Sequence, residues 1–303
     1  MNLSKTKINA LLALALFTFA FLAAEFRFDI NIGLLAGAER VVLAQGFILG
    51  ASVLGFIGYA PLLGLAQRKG HSLAAVNAAA VPIVIPGLAQ IQFPTGPLTL
   101  EILGRIAFFG LGLLGAATHH AFSLAFQDGP KLATGAGATY AAGVVFDLAE
   151  RRYMGLVMLG IAVLSTISIL AVEAGADPNL GLVVFYLSSG FFVTFFTATF
   201  TQLAPRMHAP ALWAGMGRAA NNACAFTTSG ISLALVTSGN VALIMIGALM
   251  LLVAASVAFV AAGLFRLPQT EQEREHQQLA EEALAAPSIE EQRQAFITDN
   301  GLT

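Results

Sequence analysis

The chain has 303 residues, of which 57% are hydrophobic and only 11% are charged. A soluble domain carries about 25% charged residues, so this composition argues against a soluble protein and indicates a membrane protein. The single cysteine, Cys224, excludes a disulfide framework and a cysteine-rich metal site within the chain.

Nine hydrophobic stretches follow one another along the chain, and a helix needs about 20 apolar residues to cross a bilayer core roughly 30 Å thick. We therefore predict an all-α, polytopic bundle of eight or nine transmembrane helices. Residues 1–126 would form an N-terminal bundle, 127–267 a C-terminal bundle, and 268–303 a polar, disordered cytoplasmic tail. The stretches span 8–26, 41–66, 73–93, 98–126, 133–149, 153–175, 180–205, 211–238 and 240–267.

Basic residues in the short loops predict the orientation, because such loops remain in the cytoplasm. They place the N-terminus and three later loops inside, and these placements agree only if residues 98–152 cross the membrane once. The short stretch 133–149, which contains Asp147, is then re-entrant or poorly inserted. Eight full crossings is the preferred prediction, and nine crossings is the alternative. The basic residues are Lys5, Lys7, Arg68, Lys69, Arg151, Arg152 and Arg206.

The fourth stretch contains ionisable side chains, which are costly inside a membrane and therefore candidates for function. Glu101 and Arg105 are four residues apart and share a helix face. His119 follows after five turns on that same face, roughly 27 Å further along the axis. The three could form a proton path. Alternatively, Glu101 and Arg105 form a structural pair at one interface, and His119 lies at the other.

The eighth stretch places Arg218, Asn221 and Asn222 on one helix face, at a spacing of three and four residues. Arg218 could bind an anionic group of a substrate or neutralise a carboxylate on another helix. The two asparagines could line the same pathway, or they could join helices by hydrogen bonds between them.

Two segments resemble the cytoplasmic loop motif of the major facilitator superfamily, GxLaDRxGRR. The first reads Gly64-Leu-Ala-Gln67-Arg68-Lys69-Gly70-His71, and the second reads Gly143-Val-Val-Phe-Asp147-Leu-Ala-Glu150-Arg151-Arg152. The early and late stretches are also similar to the drug:proton antiporter branch of that family. The likeness covers most of 10–265, although the chain has eight or nine stretches where the family has twelve to fourteen.

This resemblance implies a major-facilitator-like fold and proton-coupled export of small organic, drug-like molecules across the plasma (inner) membrane. It implies that Glu25 and Asp29, near the end of the first stretch, carry the proton and face Arg218. Alternatively, the two acids belong to an interfacial cluster, Glu25-Phe-Arg-Phe-Asp29. The motif loops would act as conformational latches. Their residues are Gly64, Arg68, Lys69, Gly70, Gly143, Asp147, Arg151 and Arg152.

A second hypothesis is a truncated, non-transporting relative that acts as a membrane partner or has no function, because alternating access requires two comparable halves. A homodimer could restore two halves. The expected partners are the lipid bilayer, protons and a small-molecule substrate, with no nucleic acid. We expect no enzyme activity, metal or cofactor, since the five histidines do not form a spaced ligand set.

Overall fold

A computed structural model describes residues 4–126 and 154–262, which form eight long α-helices and one short 3₁₀ turn. Six helices, α1 to α5 and α8, are long and apolar enough to cross a membrane. The prediction of an all-helical bundle is therefore confirmed, whereas 133–149 and the tail 268–303 lie outside the described residues. The helices are α1 (Lys5–Ala36), α2 (Ala38–Arg68), α3 (Leu73–Gln92), α4 (Pro97–Ala125), α5 (Met154–Glu173), α6 (Pro178–Leu203), α7 (Pro210–Thr237) and α8 (Val241–Ala261), with the 3₁₀ turn at Ala204–Arg206.

The first helix is longer than its hydrophobic stretch predicted. It continues past residue 26, through Glu25 and Asp29, and ends only at Gly37, whose φ of 89° is unfavourable for other residues. The two acids are thus four residues apart on a continuous helix rather than at its end. Helix α2 begins directly after Gly37, so α1 and α2 form a tight antiparallel hairpin.

Consecutive helices run in opposite directions, and the basic loops gather at one end of the bundle. Lys7 lies 5.5 Å from the ring of Phe126, at the end of α4. Phe126 also packs in a cluster with Leu14 of α1 and Met158 of α5. The last turn of α4 and the first turns of α5 therefore lie at the same end, as the basic loops require. We call this the basic end; it includes Lys5, Lys7, Arg68, Lys69 and Arg206.

Helices α2 and α4 approach each other so closely that two glycines are required at their crossing. A Cβ atom on Gly55 would overlap the carbonyl oxygen of Phe109, and one on Gly112 would overlap the carbonyl oxygen of Ser52. Small residues permit this kind of backbone contact between membrane helices. Helix α7 packs against both α2 and α4, and α1 packs against α4 and α2. The α2–α4 crossing is therefore at the centre of the bundle.

The first motif loop has a structural role that the backbone hydrogen bonds show directly. The amide of Gly70 donates to the carbonyl of Gln67, and the amide of His71 donates to that of Ala66. These two hydrogen bonds, with a φ of 77° at Gly70, form a Schellman motif that ends α2. Gly70 is thus required by the local backbone, whatever further role the loop has.

We expect Gly55→Val to destabilise the bundle, because the new side chain would force α2 away from α4. Overpacking of this kind costs about 1–3 kcal/mol. Gly58→Val is the matched control, since it lies on the same helix and its Cβ would meet no atom within 4 Å. Thermal unfolding in detergent, followed by size-exclusion chromatography, measures the difference. Equal melting temperatures for the two variants would contradict the close crossing.

Candidate functional site

A polar cavity of about 480 Å³ lies between α1, α2, α6 and α7. It brings together five of the predicted site residues, from two helices that are distant in sequence. The first motif loop, Glu101, Arg105 and His119 do not line it. Its polar side chains are Glu25, Asp29, Gln45, Ser189, Arg218, Asn221 and Asn222.

The two carboxyl groups in this cavity have different surroundings. Glu25 accepts a hydrogen bond of 3.0 Å from the side-chain amide of Gln45. In Asp29, the Oδ1 atom is buried and has no hydrogen-bond partner within the described residues. A buried polar atom without a partner is costly. Asp29 is therefore the acid better placed to take up a proton or to bind an incoming group.

Arg218 brings a positive charge to the same cavity. Its side chain is only 7% exposed, and its guanidinium carbon lies 4.9 Å from the centre of the Phe21 ring. Within residues 4–126 and 154–262, no carboxylate approaches it to 4.0 Å. It is nevertheless near enough to Glu25 for the two to attract each other. A buried cation without a direct partner is costly, so this guanidinium is available to an anionic group.

The two asparagines on α7 have separate roles. Asn222 is 1% exposed and donates a hydrogen bond of 2.8 Å to Ser52 on α2. It therefore joins α7 to α2, which is the structural alternative that the sequence left open. Asn221 donates to the side-chain oxygen of Asn222 at 3.3 Å and also lines the cavity.

A second cavity of about 410 Å³ adjoins the first, because Ser189 and Asn221 line both. Its other lining residues are mostly hydroxyl and aromatic side chains: Ser165, Ser188, Phe192, Phe196 and Cys224, with Ala220. The Oγ atom of Ser188 is buried and has no hydrogen-bond partner in the described part of the chain. The two cavities thus form an acidic lobe and a lobe with aromatic and hydroxyl groups.

His119 approaches the site from the other side of Arg218. A narrow space of about 10 Å³ lies between His119 and Arg218, and Thr18 and Thr197 also line it. The Nδ1 atom of His119 lies 2.7 Å from the carbonyl oxygen of Gly115, so this nitrogen carries the proton and donates. Its second ring nitrogen remains for another contact. His119 is therefore connected to the Arg218 side of the bundle rather than to Glu101.

Glu101 belongs to an ion-pair cluster at the end of the bundle opposite the basic end. Arg40 donates two hydrogen bonds to its carboxylate, at 2.8 and 3.0 Å, and Arg105 donates one at 3.0 Å. Arg105 also lies 4.7 Å from the centre of the Phe47 ring. The Glu101–Arg105 pair was predicted from the sequence, whereas Arg40 was not. This geometry favours the structural alternative for Glu101 and Arg105.

Sequence reasoning missed three polar residues of α2 that contact predicted site residues: Arg40, Gln45 and Ser52. Gln45 and Ser52 are seven residues apart, which places both on one face of a helix at two-turn spacing. This spacing is a signal that could have identified them as partners for the acids and for Asn222. Arg40 gave no such signal, because its partner Glu101 lies two helices later in the chain.

Of the two predicted latch loops, only the first lies within the described residues. Gly64 has no atom within 4 Å of an added Cβ. Arg68 and Lys69 form no ion pair with any acid in residues 4–126 and 154–262. The second motif copy, with Gly143, Asp147, Arg151 and Arg152, lies outside the described residues. The same ranges contain no group of three or more metal-ligating side chains.

We expect Glu101→Gln to lower the melting temperature by a few degrees, because the neutral amide leaves Arg40 and Arg105 without their carboxylate. The effect remains modest because both arginine side chains are partly exposed, so water and salt screen their attraction to the carboxylate. Glu39→Gln is the control, since Glu39 is exposed near the same end and forms no ion pair with the described residues. An unchanged melting temperature in Glu101→Gln would show that the cluster contributes nothing to stability.

Comparison with known proteins identifies no relative: no protein-family model, no curated protein and no solved structure matches the chain. The likeness to the major facilitator superfamily therefore depends on the two motif loops and the span pattern alone.

Proposed function

We propose that the protein is a secondary active transporter that exchanges protons for small organic molecules, preferably cations. The observation that supports this most strongly is the polar cavity between α1, α2, α6 and α7, of which α1 and α2 are long and apolar enough to cross a membrane. It holds two carboxyl groups from α1 opposite a buried arginine from α7. The resemblance of the loops to the drug:proton antiporters of the major facilitator superfamily supports the same conclusion.

The charges in the cavity provide a physical basis for exchange. With Glu25 and Asp29 both ionised, and Arg218 positive, the cavity carries a net charge of about −1, which attracts a cation in a low-dielectric medium. Uptake of one proton cancels this charge and removes the attraction. A proton and an organic cation therefore compete for the same carboxylates, which is the requirement for coupling their movements in opposite directions.

The neighbouring lobe suits the remainder of an organic cation. Phe192 and Phe196 offer apolar surface, and Ser188 offers a buried hydroxyl that has no hydrogen-bond partner in residues 4–126 and 154–262. Ligand sites commonly combine apolar walls with a few polar groups that fix orientation. A substrate with a charged group in the acidic lobe and an aromatic or aliphatic part beside α6 would occupy both lobes.

Transport by proteoliposomes tests this proposal. With an acidic interior, we expect wild-type protein to accumulate lipophilic cations, such as radiolabelled tetraphenylphosphonium, from a panel of such compounds. Asp29→Asn should reduce proton-driven uptake at least tenfold, because the amide can no longer exchange a proton. Glu39→Gln should transport as the wild type does, since Glu39 is an acid outside the cavity.

The alternative is a truncated, non-transporting relative that acts as a membrane partner or has no function. Residues 4–126 and 154–262 contain eight long helices, whereas alternating access requires two comparable halves. Uptake by wild-type protein no greater than that of protein-free liposomes, for every cation in the panel, would favour this alternative. Equal transport by wild type and Asp29→Asn would instead remove Asp29 from the proton path.

The orientation that we propose places the basic end in the cytoplasm, in accordance with the positive-inside rule. In a Cys224→Ser background, single cysteines at Lys69 and Arg206 should resist a membrane-impermeant maleimide applied to intact cells. Cysteines at Thr95 and Asp177, at the opposite end, should react. Permeabilised cells provide the control for reactivity. The reverse labelling pattern would show that the protein has the opposite orientation.

A further inference from the structure

A cleft between α2 and α3, separate from the proposed transport site, is open at the basic end of the bundle. Both helices pack extensively against α4 but contact each other at few points. The cleft that remains between them has a volume of about 560 Å³, and Leu113 of α4 contributes to its floor. Ala75, Ala79 and Ala80 on α3 are small, so they leave this space unfilled.

The cleft is apolar along its length and basic at its mouth. Its walls include Leu62, Leu65 and Ile83, whereas Lys69 and His71 lie at the mouth. Neither of these two residues forms an ion pair with an acid in the described part of the chain. Helix α3 begins at the same place, where Ser72 caps the amide of Ala75. The N-terminus of a helix attracts anions.

The depth of the cleft corresponds to one leaflet of a bilayer. From Lys69 at the mouth to Tyr59 at the inner end, α2 rises about 15 Å, which is half of a hydrocarbon core about 30 Å thick. Asn77 lies about 7 Å into the cleft from Ser72, and its buried Oδ1 atom has no hydrogen-bond partner among the described residues. A polar group is thus available below the mouth, where the ester region of a lipid would lie.

We propose that this cleft binds one anionic phospholipid of the leaflet at the basic end. One acyl chain lies between α2 and α3, and the phosphate faces Lys69, His71 and the N-terminus of α3. The apolar walls alone would accept any lipid. The Lys69 ammonium at the mouth, which forms no ion pair within the described residues, selects an anionic headgroup, and His71 beside it can donate a hydrogen bond. Basic pockets between membrane helices bind such lipids in general.

Tryptophan quenching by brominated lipids tests the proposal. The single tryptophan, Trp213, is replaced by Phe, and a new tryptophan is introduced at Leu65, which lines the cleft and is 52% exposed. In phosphatidylcholine bilayers with a small fraction of brominated lipid, brominated phosphatidylglycerol should quench this tryptophan at least twice as strongly as brominated phosphatidylcholine. Val257→Trp is the control, since it is 62% exposed on α8 at a similar depth, and both lipids should quench it equally.

A second pair of substitutions identifies the headgroup contact. Adding Lys69→Gln and His71→Gln to the Leu65→Trp protein should abolish the preference for phosphatidylglycerol, whereas adding Lys5→Gln, at the same end but outside the cleft, should preserve it. Equal quenching of Leu65→Trp by the two lipids would overturn the proposal and indicate ordinary boundary lipid. A preference that persists without Lys69 and His71 would overturn the assigned headgroup site.

Discussion

The backbone contact between α2 and α4 determines where the other helices lie. Because Gly55 and Gly112 have no side chains, the two backbones approach to a distance that no other residues permit. Helices α1 and α7 then pack on this pair, which places Glu25 and Asp29 opposite Arg218. The separation of these charges therefore depends on a backbone contact that lies outside the cavity. A change in the α2–α4 spacing alters the cavity even when every residue in its wall is preserved.

Arg218 shows how the bundle keeps a charge available inside an apolar protein. Direct pairing with a carboxylate would satisfy the guanidinium but would also neutralise the site permanently. Instead, the cation lies over the Phe21 ring, which gives partial compensation through the negative face of its π-system. At the opposite end of the bundle, Arg40 and Arg105 are paired directly with Glu101. The two clusters contain the same kinds of residue, but within residues 4–126 and 154–262 no carboxylate lies within 4.0 Å of Arg218, whereas Arg40 and Arg105 both contact one.

Hydropathy and spacing predicted the helices well, because both reflect the cost of exposing polar groups to a bilayer. The same reasoning placed Arg218, Asn221 and Asn222 on one face. The first hydrophobic stretch ended too early, at residue 26, because hydropathy falls at the charged residues Glu25 and Asp29, whereas the helix continues to Ala36 and ends at Gly37. Pairings between distant helices, such as Arg40 with Glu101, depend on packing that a single sequence does not reveal. The cleft between α2 and α3 likewise depends on tertiary packing, because both helices pack against α4 and contact each other at few points.

The position of Arg218 on α7 has a consequence for biosynthesis. Helix α7 is not among the described helices that are long and apolar enough to cross a membrane, and its ninth residue, Arg218, adds a cost of up to about 2.5–3.5 kcal/mol on insertion scales, so α7 is a poor candidate for entering the bilayer alone. Its electrostatic partner Glu25 lies on α1, together with Asp29 of the same cavity, and α1 precedes α7 in the chain. Chain order therefore supplies the counter-charges before the arginine arrives. Helix α7 then packs against α2 and α4, which brings Arg218 to the cavity that contains these carboxyl groups.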